Sequence, residues 1–189
     1  MRWDSLFEDL EAQFSAERAL ARESEISERV RVEVAGLDLA DRLRGVAGAE
    51  IALVLTTGVS LQGTLGHVGG GWFVLVDGGR QWLIPCASVT HYDGLGRLAQ
   101  KPTSHVQSSL GLASALRGLS RDRAQVTVVL SAGPRTDLRL HGVIDRVGRD
   151  HFDFADTRGE VRRGSAVAAV KTIPFTSLAA VCSTSSRGF

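Results

Sequence analysis

The side chains able to do chemistry are few, and their spacing gives no known reaction. Five histidines occur, His67, His91, His105, His141 and His151, and no two fall at the separations that let a short segment grip a metal ion. His67 and His141 sit in apolar-alternating segments, where a solvent-facing polar position is the simplest account. The two cysteines, Cys86 and Cys182, lie among apolar neighbours, away from any metal-like or disulfide-framework spacing. They read as reduced residues of the core. No Gly-x-Ser-x-Gly elbow and no Walker loop is present. Gly69-Gly70-Gly71 could approach a phosphate, but it joins two strand-like segments and opens no helix, so it reads as a hairpin turn. Ser88 and Ser177 recur in equivalent contexts, each following an Ile-Pro turn. A serine there bonds its own backbone and starts the next strand. These residues predict a protein that is not an enzyme, with no cofactor, no metal and no small-molecule substrate.

The recurrence of those serines leads to the organisation of the chain. Ile84-Pro85-Cys86-Ala87-Ser88-Val89 returns as Ile173-Pro174-Phe175-Thr176-Ser177-Leu178. Each copy closes a run of short, glycine-punctuated apolar segments, the mark of a duplicated unit. In the first run Ile51, Leu53 and Leu55 alternate, Thr57-Gly58 turns, and Leu61, Gly63, Leu65 and Val68 follow. Trp72 to Val76, Gln81 to Ile84 and Val89 to Tyr92 complete five strands. In the second, Val126, Val128 and Leu130 match the opening strand, and Leu140, Gly142, Ile144 and Val147 match the next. His151, Phe152 and Phe154 match Trp72, Phe73 and Leu75. A short helix precedes each run, 38–44 and 111–119.

Before both comes a helical arm. Trp3, Leu6, Phe7, Leu10 and Phe14 fall at i, i+3, i+4, i+7 and i+11, one face of an α-helix. Ser5 and Glu8 have capping-box spacing, and acids crowd the first turns where the helix dipole favours them. The period continues through Ile26, Val30, Val34 and Leu37, although Val30, Val32 and Val34 also alternate; the helix is expected to break near Gly36. The expected organisation is an arm over 1–36, a first barrel over 37–92, a linker over 93–108, a second barrel over 109–182 and a tail over 183–189.

The helix followed by Leu53-x-Leu55-x-x-Gly58-x-x-Leu61-x-Gly63-x-Leu65-x-x-Val68 resembles the Sm-like (LSm) barrel. The fold class expected is mainly β: two tandem five-stranded Sm-like or SH3-like barrels behind a helical arm. They should form two separate sheets, with Gly63 superposing on Gly142 and Pro85 on Pro174. The glycine has a physical role, because a strongly bent strand needs a residue without a side chain where backbones crowd. Sm-like proteins bind single-stranded RNA at a ring pore, and the resemblance implies a site in the loops after the second and fourth strands. Here those loops carry Gly69 and Phe73, Gly148 and Phe152, then Pro85-Cys86 and Pro174-Phe175, so the base-contacting set is absent. Residues 1–11 also look like the start of a family of actinobacterial proteins, some labelled transcriptional regulators, but no helix-turn-helix supports that label.

Composition bounds the rest. The net charge of +1 across 189 residues supplies no global field for nucleic acid or membrane. Residues 1–33 hold nine acids and five arginines, net −4, which leaves +5 for the remainder. No signal peptide or apolar span is read, so the cytoplasm is the expected compartment. The leading expectation is binding and assembly, by a protein partner or by self-association. It would use the arm face Trp3, Leu6, Phe7, Leu10 and Phe14, which could equally dock on the chain's own barrels, or barrel edges that pair strand to strand. The alternative is RNA or DNA binding on the basic face of the second unit, with Arg149, Arg158, Arg162 and Arg163 as contacts and Trp72, Trp82 and Tyr92 as stacking surfaces. Uridine-rich RNA is accordingly expected not to bind in a pore-like mode. In fluorescence anisotropy, any nucleic-acid binding should fall steeply with salt and weaken when Arg158, Arg162 and Arg163 are replaced together. Tight binding that survives high salt and ignores those arginines would place the contact surface elsewhere.

Overall fold

The computed structural model describes residues 2–102, 109–133, 136–157 and 169–184. Two units divide at Asp38 and Leu39. The first is a single helix, α1 (Arg2–Ala35), which ends at the expected glycine. Its exposed face carries ion pairs such as Arg29–Glu25 at 4.0 Å and Arg31–Glu28 at 3.7 Å. Among the described residues no helix is long and apolar enough to cross a membrane.

The second unit holds α2 (Leu39–Gly45), β1 (Glu50–Leu55), β2 (Ser60–Val68), β3 (Trp72–Asp77), β4 (Arg80–Pro85) and β5 (Val89–Asp93), then α3 (Leu112–Arg121). It continues with β6 (Val126–Gly133), β7 (Thr136–Val147), β8 (His151–Asp156), β9 (Ala169–Pro174) and β10 (Leu178–Thr184). One 3-10 turn, Cys86–Ser88, links β4 to β5, and another, Phe175–Ser177, links β9 to β10. The helix-then-five-strands pattern thus appears twice.

All ten strands form one antiparallel sheet in the order β5-β1-β2-β3-β4-β10-β6-β7-β8-β9. This overturns the expectation of two separate barrels, whose absence was to count against the duplication, and the sheet does not close on itself; the case for a repeat rests instead on matched strand orders and registers. The cause is a direct ladder between the repeats. Val181 faces Leu83, Cys182 faces Trp82, Ser183 faces Gln81 and Thr184 faces Arg80. Strands β4 and β10 would each have been an edge of an isolated unit, and each satisfies the other's backbone groups.

The duplication itself is visible strand by strand. The orders β5-β1-β2-β3-β4 and β10-β6-β7-β8-β9 are the same. Gly63 faces Ile51 and Gly142 faces Val126, the matched residues. Trp72 pairs with Pro85 as His151 pairs with Pro174. The register slips between Val54 and Leu55 against β5, and at the matching place between Leu178 and Ala180 against β6. Gly69 N–H donates to the Trp72 carbonyl at 2.8 Å, and Gly148 N–H to the His151 carbonyl at 2.9 Å.

Two apolar cores result, and they exchange residues across the shared ladder. Leu43, Leu53, Leu65, Phe73 and Ile84 anchor the first, which also takes Val129, Ala179 and Ala180 from the second repeat. Val128, Ile144, Phe152 and Phe154 anchor the other, which takes Trp72 and Leu83 from the first. Strand alternation does this: Trp82 and Ile84 point one way, Leu83 the other.

A side chain at Gly63 would run into the carbonyl oxygen of Val76, and one at Gly142 into that of Ala155. Both obstacles are sheet backbone, so neither can yield cheaply. Gly63→Ala and Gly142→Ala are each expected to destabilise the protein by roughly 1–3 kcal/mol in urea titration, as overpacked sites do. An alanine tolerated at either position would remove the close-approach explanation for the repeated glycine.

Candidate functional site at the seam between the repeats

The Ile-Pro-x-x-Ser motif builds the seam. Pro85 holds φ at −65° with ψ at 132°, extended backbone that ends β4 and opens the 3-10 turn. The turn brings Ser88 under β10. Its hydroxyl lies 2.7 Å from the Pro85 carbonyl oxygen and 2.8 Å from that of Ala179, 91 residues away. One hydroxyl hydrogen serves both acceptors, so the serine closes its own turn, as expected, and also clips it to the second repeat. Ser177 follows the same turn at β9, the last strand of the sheet among the described residues.

On one side of the seam a row of residues crosses four adjacent strands. Trp82 on β4 faces Cys182 on β10, which faces Thr127 on β6, which faces His141 on β7. The Thr127 hydroxyl and His141 Nδ1 are 2.8 Å apart. Trp82 is 7% exposed, and its indole N–H has no hydrogen-bond partner. Arg80 stands two residues before Trp82, and Arg139 two before His141, so strand alternation puts both on the same sheet face as the row. Together with Gln125 and Val126 these residues line a cleft of about 500 Å³. Arg80 is half-exposed and pairs with Asp77 at 3.1 Å. Burial pushes the Cys182 thiol up in pKa, opposed by the Arg80 and Arg139 charges, with Asp77 reinforcing the rise.

The sequence reading missed this cleft, because its two arginines come from different repeats. Arg139 had a signal, belonging to the basic enrichment of the second unit. His141 had been read only as a polar strand position. Nothing local marks Arg80, which simply follows the Gly78-Gly79 turn.

The residues singled out from sequence fare differently. Phe73 and Phe152, at the pore positions of the resemblance, are fully buried core residues. Gly69 and Gly148 lie against the rings of Trp72 and His151. Trp72 and Trp82 are buried rather than open stacking surfaces, and Trp72 Nε1 donates to the Leu110 carbonyl at 2.7 Å. Tyr92 is half-buried beside Phe73, at 5.8 Å between ring centroids. Burial raises its hydroxyl pKa, and the adjacent Cys86 adds to the rise. Cys86 is raised mainly by burial too, and both cysteines are free thiols.

Arg149 is exposed. Arg158, Arg162 and Arg163 lie outside the described residues, so the structure does not place them beside it. His67 is exposed and His141 half-buried. His91 lies 3.8 Å from Asp93, and His151 lies 2.8 Å from Asp150 and lowers that carboxyl's pKa. His105 is outside the described residues. No cluster of metal-ligating side chains occurs among the described residues. On the arm, Trp3, Leu6, Phe7, Leu10 and Phe14 all fall within α1, and Phe14 is 61% exposed. The side chains of the other four are outside the described set.

Because one hydroxyl hydrogen is shared, Ser88→Ala is expected to cost about 1–2 kcal/mol rather than the sum of two hydrogen bonds. Ser177→Ala should cost less, since no contact like that of Ser88 with Ala179 is seen for Ser177 among the described residues. Paired urea titrations would check the order. Equal losses would mean that the contact with Ala179 adds nothing.

Comparisons with protein-family models, with curated proteins and with solved structures found no match for this chain.

Proposed function

We propose that this chain is a non-enzymatic binding and assembly protein, built on a duplicated Sm-like unit, that continues its sheet with further copies of itself. The observation that carries the reading is the β4·β10 ladder. It joins the last strand of one repeat's series to the strand that follows the Ile-Pro turn of the other. The same two edges recur at the ends of the sheet as β9 and β5. Each repeat's short helix, five strands and crowded glycine support the Sm-like part of the reading. The commitment of the Ser88 hydroxyl to two carbonyls supports a structural role for that serine over a catalytic one.

Copying the inner register onto the outer edges specifies the contact. Tyr92 of one copy would face Thr172 of the next, and Asp93 would face Lys171, a charge-complementary pair. Val170, 58% exposed on β9, would be covered. The two edges are different surfaces, so the association is head-to-tail and either closes into a ring or runs on. The edges are more polar than the inner seam, with Thr90, His91 and Asp93 exposed on β5. That composition suits reversible association and discourages indiscriminate edge pairing. The arm, acidic where the remainder is net basic, is the second assembly element.

Light scattering after size exclusion, over a concentration series, tests this reading. The full chain should self-associate. Asp93→Lys and Val170→Lys should each weaken association by roughly tenfold, about 1.4 kcal/mol, with the melting temperature unchanged. Deleting residues 1–35 should reduce assembly or partner capture while the sheet keeps its melting temperature. A full chain that stays monomeric at every concentration, or edge variants that assemble normally, would overturn edge pairing.

A further inference from the structure

The seam cleft gathers charged and polar side chains from both repeats. It draws one arginine from each repeat, Arg80 from β4 and Arg139 from β7, so it exists only because the two repeats share a sheet. No carboxylate is among its described lining residues, and Asp77 reaches Arg80 from outside them. Arg80 and Arg139 flank the Trp82–Cys182–Thr127–His141 row from opposite sides and line the same cleft. Hydrogen-bonding groups lie between them, the Thr127 hydroxyl, the His141 imidazole and the Gln125 amide, beside the Cys182 and Trp82 side chains. Its volume of about 500 Å³ lies within the usual range for small-molecule sites, roughly 300–1,000 Å³, and well above what a bare ion needs.

We propose that this cleft binds a small phosphate monoester of mononucleotide size, with Arg80 and Arg139 on the phosphate and Trp82 and Cys182 against the body of the ligand. Guanidinium groups suit this task because their planar donor forks match phosphate oxygens and stay charged at every physiological pH. Thr127 and His141 supply further hydrogen-bonding groups between the two charges. The inference stands apart from edge assembly, since the cleft lies on the inner seam and needs only one chain.

Calorimetric titration of the full chain with adenosine 5′-monophosphate, inorganic phosphate and adenosine tests it. The monophosphate should bind with a dissociation constant below about 1 mM, at least about tenfold tighter than either fragment. Arg80→Gln and Arg139→Gln should each weaken it about tenfold or more, and the double variant should abolish it. Arg117→Gln, on α3 and outside the cleft lining, should leave it unchanged. Far-UV circular dichroism and melting temperature should match wild type in each variant, and Arg80→Lys and Arg139→Lys provide milder replacements if they do not. No binding at about 10 mM would overturn the proposal, as would binding that ignores both arginines. Arginine-dependent binding of a single-stranded oligonucleotide without the monophosphate would also overturn it, by making the cleft part of a nucleic-acid track.

Discussion

The β4·β10 ladder is the interaction on which the rest of the molecule depends. Without it there are two five-stranded units with four raw edges and two incomplete cores. With it, four strand edges become two, and each core gains side chains from the other repeat. Trp82 and Leu83 are adjacent, yet they serve opposite cores. Fully burying a side chain of their kind is worth roughly 1.5–3 kcal/mol, so the ladder contributes through packing on both faces as well as through its hydrogen bonds. The consequence is cooperativity, because neither repeat can open at its seam without exposing residues of both cores.

The comparison of β10 with β5 shows what a seam asks of a sequence. Both follow the same Pro-turn-Ser device. In β10 the run Leu178-Ala179-Ala180-Val181 is continuously apolar and buried throughout. In β5 the run Val89-Thr90-His91-Tyr92-Asp93 is mixed, with Thr90, His91 and Asp93 exposed and Val89 and Tyr92 half-buried. A strand buried on both faces reads as a continuous apolar run; a strand at an open edge does not need to. The two copies of this strand therefore differ, apolar where the repeats meet and polar where the sheet stops. Small residues at Ala179 and Ala180 let Ser88 and the first core approach closely, which a pair of leucines would prevent.

Much of this was legible. The repeat, the ten strands and three helices among the described residues, and the glycine in each second strand all follow from alternation, turn residues and spacing. The exchange of two separate sheets for one was the main departure, and its cause is long-range. Ser88 reads locally as a turn serine, and half of its work depends on a carbonyl 91 residues away. The signal that could have shown the seam was the unbroken apolar run at 178–181, which suits a doubly covered strand better than the edge of a small barrel. The cleft was less legible still. Arg80 and Arg139 acquire a common neighbourhood only through the strand order, and a count of basic residues draws attention to the second repeat alone.

The central claim is that the two repeats form one cooperative sheet through β4 and β10. Amide hydrogen exchange on the full chain tests it most directly. The account predicts that ladder amides in 81–83 and 181–183 exchange as slowly as those of β1, β2, β6 and β7, through the same global opening. Exchange at the seam that is orders of magnitude faster than in either repeat's interior, with the two interiors opening independently, would contradict it.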